Sequence, residues 1–467
     1  MLLVLMAAGC DQAKQDTTTT VSVIGDKGNI VGSSTAQGLV SFDADGQIEP
    51  ALAERWIVSD DGLSLAFRLA RSKWSNGRPV VANEVAHSLQ ESFARAPTGR
   101  LGHLFNAVEG VVAMTGRVIE IRLKEPRPNM LQLLAQPEFA VRHNGFGAGP
   151  YTLQKSQKDA TILSPMRAGD GSEDDVSDNE MRSREIRLQS GRAALAVARY
   201  IRGQSDAVLG GSFIDYPLVQ TAKLRPSQII TDATRGLFGF AFAGQHPLTS
   251  EPVVRQALDM AIDRATLAQA LGLPNWQTRE ALLPAQLDSA IDPTVPDWAG
   301  LSLSLRRTEA ARRIAVVVGG SPHLAPLRVA LPDGPGSRLL FARISADWRA
   351  IGVSSEAVGW REPADVRLID EVAPSGSVNW YFTRLSCGAG VICDQKSDDA
   401  LAAARDAETL DARAQAYARA DQAYAANLPF ISLGNPFRWS LTSARLTGLR
   451  SSPFGVHPLV RVRSPRN

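Results

Sequence analysis

Three cysteines and six histidines are the side chains best able to act as nucleophiles or metal ligands, and their spacing argues against both roles. His87, His103, His143, His246, His323 and His457 are scattered, with no HExxH among them, so each is expected to be structural. No G-x-S-x-G elbow and no phosphate-binding P-loop occur. The acidic run from Arg167 to Glu185 lacks the alternating ligand spacing of a calcium loop and reads as a solvated surface loop. No enzyme activity, cofactor or metal is therefore expected. Cys387 and Cys393 have five residues between them, including Gly388 and Gly390. In an oxidising compartment they are expected to form a small-loop disulfide, with two buried thiols as the alternative.

Composition narrows the class. A chain of 467 residues exceeds the size at which one hydrophobic core keeps growing, so two or three lobes are expected. Hydrophobic residues make up 44% and charged residues 21%, as in an ordinary globular protein. A formal net charge of +2 gives no support for a nucleic acid partner or an anionic membrane surface. Nothing in the interior is apolar for the roughly 18 residues that a membrane span requires.

The elements that must position any site are clearest from Gln37 to Phe93. Asp45-Gly46, Asp61-Gly62 and Asn76-Gly77 are turn dipeptides. Ser64 to Leu69 alternates polar and apolar residues, which predicts a half-buried strand. Val81, Val85 and Leu89 have helical spacing, so a helix is expected from Val81 to Phe93. Further on, Ser250 is read as an N-cap before a helix carrying Val254, Leu258 and Ala261. Other helices are expected over Leu339 to Ala350 and, as one piece, Ala400 to Ala426. Gly236 to Phe242 alternates small and aromatic residues, as a strand passing between lobes does.

The same residues carry a family resemblance. Gly38-Leu39, Pro50-Ala51-Leu52-Ala53-Glu54, Trp56, Asp61-Gly62, Lys73-Trp74-Ser75-Asn76-Gly77, Pro79 and Val85 stand where family 5 extracellular solute-binding proteins carry their signature. These are the oligopeptide and dipeptide receptors of ABC importers. Gly149-Pro150-Tyr151-Thr152-Leu153 is similar to the family's return strand, and Gly203-Gln204-Ser205-Asp206 to its turn. The run Val254 to Arg264 resembles its "VR.AL..AIDR" helix, and Asp398 to Leu433 its late helical pattern. Roughly residues 37 to 450 are covered.

The resemblance implies an α/β, periplasmic-binding-protein-like fold of type II, with two main lobes around a ligand cleft and a smaller extra lobe. It implies a discontinuous chain path. Lobe I takes 21–42, 145–238 and 441–467, the small second lobe takes 43–144, and the third lobe takes 239–440. The implied function is capture of a peptide-like ligand between closing lobes and delivery to a membrane permease powered by an ATPase. Alternatives are the same scaffold with a non-peptide solute, or an envelope sensor or assembly protein uncoupled from import.

Met1 to Gly9, with Ala7-Ala8-Gly9 before Cys10, resembles the end of a bacterial lipoprotein signal. Cys10 is thus expected to be lipidated, and residues 11–20 to form a flexible tether. The implied location is the periplasmic side of the envelope. Asp11, directly after Cys10, resembles the inner-membrane retention signal of some Gram-negative lipoproteins, which implies the inner membrane as the one that holds the anchor. Peptide receptors of the family carry an Asp in a "W..DY..P" segment that pairs with the ligand's ammonium. Asp370, four residues before Pro374, stands at that spacing, although Arg367 replaces the Trp and Glu371 the Tyr. Asp370 is thus the expected ligand residue, with Arg367, Trp380, Tyr381 and Arg384 as candidate cleft residues.

Overall fold

The expected turns and strands build a four-stranded antiparallel sheet. Its strands are ordered Ala53–Val58, Ser64–Leu69, Val118–Leu123 and Val108–Thr115. Leu65, Phe67 and Leu69 are buried and Arg68 is exposed, as strand alternation requires. Gly77 takes φ +84° in the turn that follows, a conformation that costs glycine little. A helix, Ala82–Arg95, then buries Ala82, Val85, Ala86 and Leu89 along one stripe. Trp74 is packed at 1% exposure, and its indole N–H donates to Glu84 at 2.6 Å.

These elements belong to a computed structural model that describes residues 18–43, 45–95, 106–156, 160–166, 184–244, 246–288, 291–319, 325–407 and 409–462. Cys10, most of the tether, nearly all of the acidic run, His103 and His323 lie outside the described residues.

Two larger sheets organise the rest. The first has seven strands in the order Tyr151–Ser156, Thr161–Pro165, Ile186–Gly191, Thr19–Ile24, Ala207–Ser212, Arg438–Thr442 and Ile229–Asp232. Thr19–Ile24 runs parallel to both of its neighbours. The helix Ala193–Ile201 connects those two neighbours and packs on the sheet. The second sheet has five strands in the order Ser355–Gly359, Leu327–Leu331, Val366–Val372, Gly236–Phe242 and Phe430–Gly434. The helix Pro335–Arg349 makes the crossover between its first two strands, which are parallel. Every residue of Gly236–Phe242 is buried, which accounts for its unbroken small and aromatic sequence.

Strand membership moves two joins. The chain leaves the seven-stranded sheet after Asp232 and is in the five-stranded sheet by Gly236, ahead of the join expected at 238. It returns by Arg438, ahead of 441. Backbone pairing, invisible to composition, decides both.

Two helix expectations need correction. Ser250 ends a short helix, Pro247–Ser250, and Glu251 caps the next, Pro252–Met260, with Pro252 at its first position. The stretch from Ala400 to Ala426 is broken into Gln395–Arg405 and Leu410–Asn427, because the Thr409 side chain accepts from Ala412 N–H and starts a new helix.

The Val254 to Arg264 run is a scaffold. Arg255 is 1% exposed and donates to the carbonyls of Thr249, Ser250, Asn427 and Leu428. Burial pushes its guanidinium down to about 10. Arg264 pairs with buried Asp259 and donates to Ser432 O. Arg264 ties its helix to the five-stranded sheet, and Arg255 ties its helix to the end of the helix Leu410–Asn427.

Cys387 and Cys393 form a disulfide, their Cα atoms 5.1 Å apart. By loop-closure entropy so short a loop is worth about 2 kcal/mol. The paired Cys387→Ser and Cys393→Ser variant should lose about that much stability in denaturant melts. Two free thiols in unreduced, denatured wild-type protein from an oxidising compartment would contradict the bond.

Candidate functional site at the inter-lobe crossings

Two short segments connect the large sheets, residues 233–235 and residues 435–437. They are bonded to each other. Thr234 Oγ1 donates to Pro436 O at 2.5 Å. Arg279 spans both, donating to Gly236 O at 3.0 Å and to Asn435 Oδ1 at 2.7 Å. The same guanidinium also donates to Ser432 Oγ and Ala281 O. All four partners are neutral, and burial pushes Arg279 down to about 10. Gly236 is required at the first crossing, since a Cβ there would lie 2.0 Å from Glu371 O.

The charged candidates are each held by a partner within the chain. Asp370 accepts from Arg438 Nη1 at 2.8 and 3.0 Å, and Arg438 Nη2 donates to Asp370 O at 3.0 Å. Asp370 belongs to the five-stranded sheet and Arg438 opens a strand of the seven-stranded sheet, so this ion pair joins the two. Burial raises the Asp370 pKa, and Arg438 only partly pulls it back. Glu371 takes both Arg384 Nε, at 2.9 Å, and Arg384 Nη2. Arg367 is turned to the 360–362 corner, where it donates to Trp360 O and Glu362 O and stacks 5.1 Å over the Trp360 ring.

Trp380 and Tyr381 differ from these. Both lie on the helix Val378–Thr383, fully buried, with ring centroids 4.9 Å apart in a T-shaped contact. Trp380 Nε1 and Tyr381 Oη are buried without a hydrogen-bond partner among the described residues. Burial raises the Tyr381 phenol, against the pull of Arg279 and Arg235. Unmet buried donors cost about 1–3 kcal/mol each, so this corner has polar capacity to spare.

The small lobe also touches the third lobe. Gln136 Nε2 donates to Pro374 O at 2.7 Å in a buried bond, and Gly376 N donates to Gln132 Oε1 at 3.2 Å. One apolar cluster runs from Phe67, Met130 and Leu134 of the small lobe to Val378, Trp380 and Tyr424 of the third. The five-stranded sheet is therefore joined to the seven-stranded sheet by covalent crossings, and its lobe meets the small lobe at a non-covalent seam. Arg438, Arg279 and Gln136 were not anticipated from the sequence, because each acts on a partner 68, 156 or 238 residues away.

The family model for bacterial extracellular solute-binding proteins, family 5 (middle part), matches residues 47–354. The chain belongs to this family. Among curated relatives, the probable di/tripeptide-binding protein 5 of Pseudomonas aeruginosa is 24% identical over 92% of this chain and 89% of its own length. Among solved structures, the Escherichia coli murein tripeptide binding protein MppA matches with TM-score 0.79 and 18% identity, over 96% of this chain and 99% of that one. An unliganded open form of MppA matches less well, at TM-score 0.67 and 18% identity, over 96% of this chain and 97% of that one. These likenesses establish the two-lobed α/β fold of this family 5 protein.

The Asp370–Arg438 pair yields a test. Removing one partner of a buried pair typically costs about 3–5 kcal/mol, while an apolar replacement of both is often neutral. Asp370→Ala should thus destabilise the ligand-free protein by about 2–4 kcal/mol, tempered by the partial exposure of Arg438. Asp370→Leu combined with Arg438→Met should recover most of that loss in urea melts. Equal loss in the single and double variants would show that the pair is not the interaction at stake.

Proposed function

We propose that this protein is the solute receptor of an ABC importer, capturing a peptide-like ligand between closing lobes and delivering it to a membrane permease. One observation carries the reading. Among the described residues the chain passes between the large sheets only at two short, mutually bonded crossings, flanked by the Asp370–Arg438 pair, while the small lobe meets the third at a separate, non-covalent seam. That arrangement suits hinge closure about a ligand, with a few crossing residues absorbing the motion. The ATPase of the importer supplies the energy, so the receptor needs no catalytic group. The relative named for di- and tripeptides supports a peptide-like ligand.

A second reading is favoured by one interaction. Asp370 is the carboxylate that the family resemblance assigns to a ligand ammonium, and it already holds the Arg438 guanidinium. A solute lacking a free ammonium group fits that arrangement, and the main chain and the Trp380–Tyr381 corner would then do the recognition. Mass spectrometry of solute released by denaturing the purified protein separates the two. Short peptides are expected. A released solute without an amine would replace the first reading with the second, and absence of any small-molecule binding by calorimetry would remove both.

For location, we propose a periplasmic receptor anchored by acyl chains on Cys10, with residues 11–20 as tether. Acyl chains contribute roughly 0.8 kcal/mol per buried CH₂, and a stable anchor takes more than one chain. Cys10→Ser should shift the protein from the membrane to the soluble envelope fraction and abolish the response of its processing to globomycin. A variant that stays membrane-bound would exclude this anchor.

A further inference from the structure

A cleft of about 230 Å³ opens on the seam between the small lobe and the third lobe, and no crossing residue lines it. Arg127 and Asn129 come from the small lobe, and Asp288, Asn379, Arg413 and Tyr417 from the third. At roughly 30 Å³ per water the cleft has room for about seven or eight waters, the space of a solute the size of one amino acid.

Its two arginines keep donors to spare. Arg413 Nη2 donates to Ala407 O at 3.2 Å, a neutral partner, and its Nε is buried without a partner. Arg127 pairs with Glu125 through Nη2, while its Nε is likewise buried and unpaired. Behind Asn379 stands Arg405, which donates to Asn379 Oδ1 at 2.8 Å and to Thr383 Oγ1 at 2.6 Å, again neutral acceptors. Among the described residues no carboxylate makes an ion pair with Arg405 or Arg413. Asp288 is the nearest anion of the wall, and both its oxygens are engaged, by Val378 N at 3.1 Å and by Asn129 Nδ2. Asp411 stands exposed at the rim. The first turn of the helix Leu410–Asn427 also lines the cleft and adds the positive end of its dipole. Tyr417 is 6% exposed, and burial with Asp288 nearby raises its phenol, so its hydroxyl stays a donor at neutral pH.

We propose that this cleft is a second binding site, for a small carboxylate of amino-acid size held between Arg127 and Arg413 beside the Tyr417 hydroxyl. Guanidinium–carboxylate bonds are about twice as strong as neutral ones, and two buried Nε donors here still lack an acceptor. The walls belong to different lobes, so the site is complete only while the seam is shut. Its occupant binds the closed form and shifts the lobes toward it. By linkage it must raise the affinity for the principal solute by the factor that solute raises its own. The cleft is thus an effector site, and it stands whether the principal solute is a peptide or not.

The test is thermal unfolding and calorimetry of the full chain with acetate, succinate and L-glutamate, against acetamide and succinamide. At least one carboxylate should raise Tm saturably, and the amides should not. Arg413→Gln and Arg127→Gln should each weaken the responding carboxylate at least about tenfold, the equivalent of 1.4 kcal/mol. Small-angle scattering should show a smaller radius of gyration at saturating carboxylate. Should either glutamine variant fail to fold, Tyr417→Phe and Asn129→Leu carry the same comparison from the two walls. No response to any carboxylate at millimolar concentration overturns the site. Wild-type affinity in the folded variants also overturns it, by moving the carboxylate elsewhere.

Discussion

The placement of everything else depends on one buried cation. Arg279 gathers a carbonyl from the start of one crossing, a side-chain oxygen from the other, and two oxygens nearby. A guanidinium has five donors in a rigid fork, and few other groups can engage so many acceptors at once. A lysine has three donors and no plane, so it could not reproduce the fork. Because the partners are neutral, the charge is stabilised only by dipoles and stays partly desolvated. The crossings therefore keep their mutual geometry by hydrogen bonding.

Around that centre, charge is used within the chain. Asp370 with Arg438 joins the two sheets, and Glu371 with Arg384 fixes a helix to the adjacent strand position. Successive residues of one strand thus send carboxylates to opposite faces, one toward the crossing and one toward the helix Val378–Thr383. Near the seam between lobes, Trp380, Tyr381, Arg127 and Arg413 each keep a buried donor without a partner among the described residues.

The legible part of this fold is the local part. Turn dipeptides and strict alternation place Ser64–Leu69 to the residue, and the apolar stripe places Ala82–Arg95 within two. The helix break at 406–409 escaped because alanine-rich sequence is helical on both sides and one threonine decides it. The site was less legible for a different reason. Asp370 was singled out from its spacing, yet its partner Arg438 lies 68 residues away in Asn-Pro-Phe-Arg, a string with no local mark of an ion pair. Arg367 and Arg384 have the right chemistry for a ligand carboxylate, but Trp360 and Glu371 claim them. Composition cannot show which arginine is already taken.

The seven-stranded sheet has a consequence for how the molecule is made. Arg438–Thr442 lies between Ala207–Ser212 and Ile229–Asp232, and among the described residues no other strand bridges that gap. During synthesis the two earlier strands must wait while some two hundred residues are added, Ala207–Ser212 with one edge unpaired and Ile229–Asp232 with no strand partner. A vacant slot between strands is an invitation to intermolecular pairing. It also makes the final closure a long-range contact, which is slow to form. Until its last strand arrives, the nascent chain therefore carries strand edges that only the completed sheet can cover.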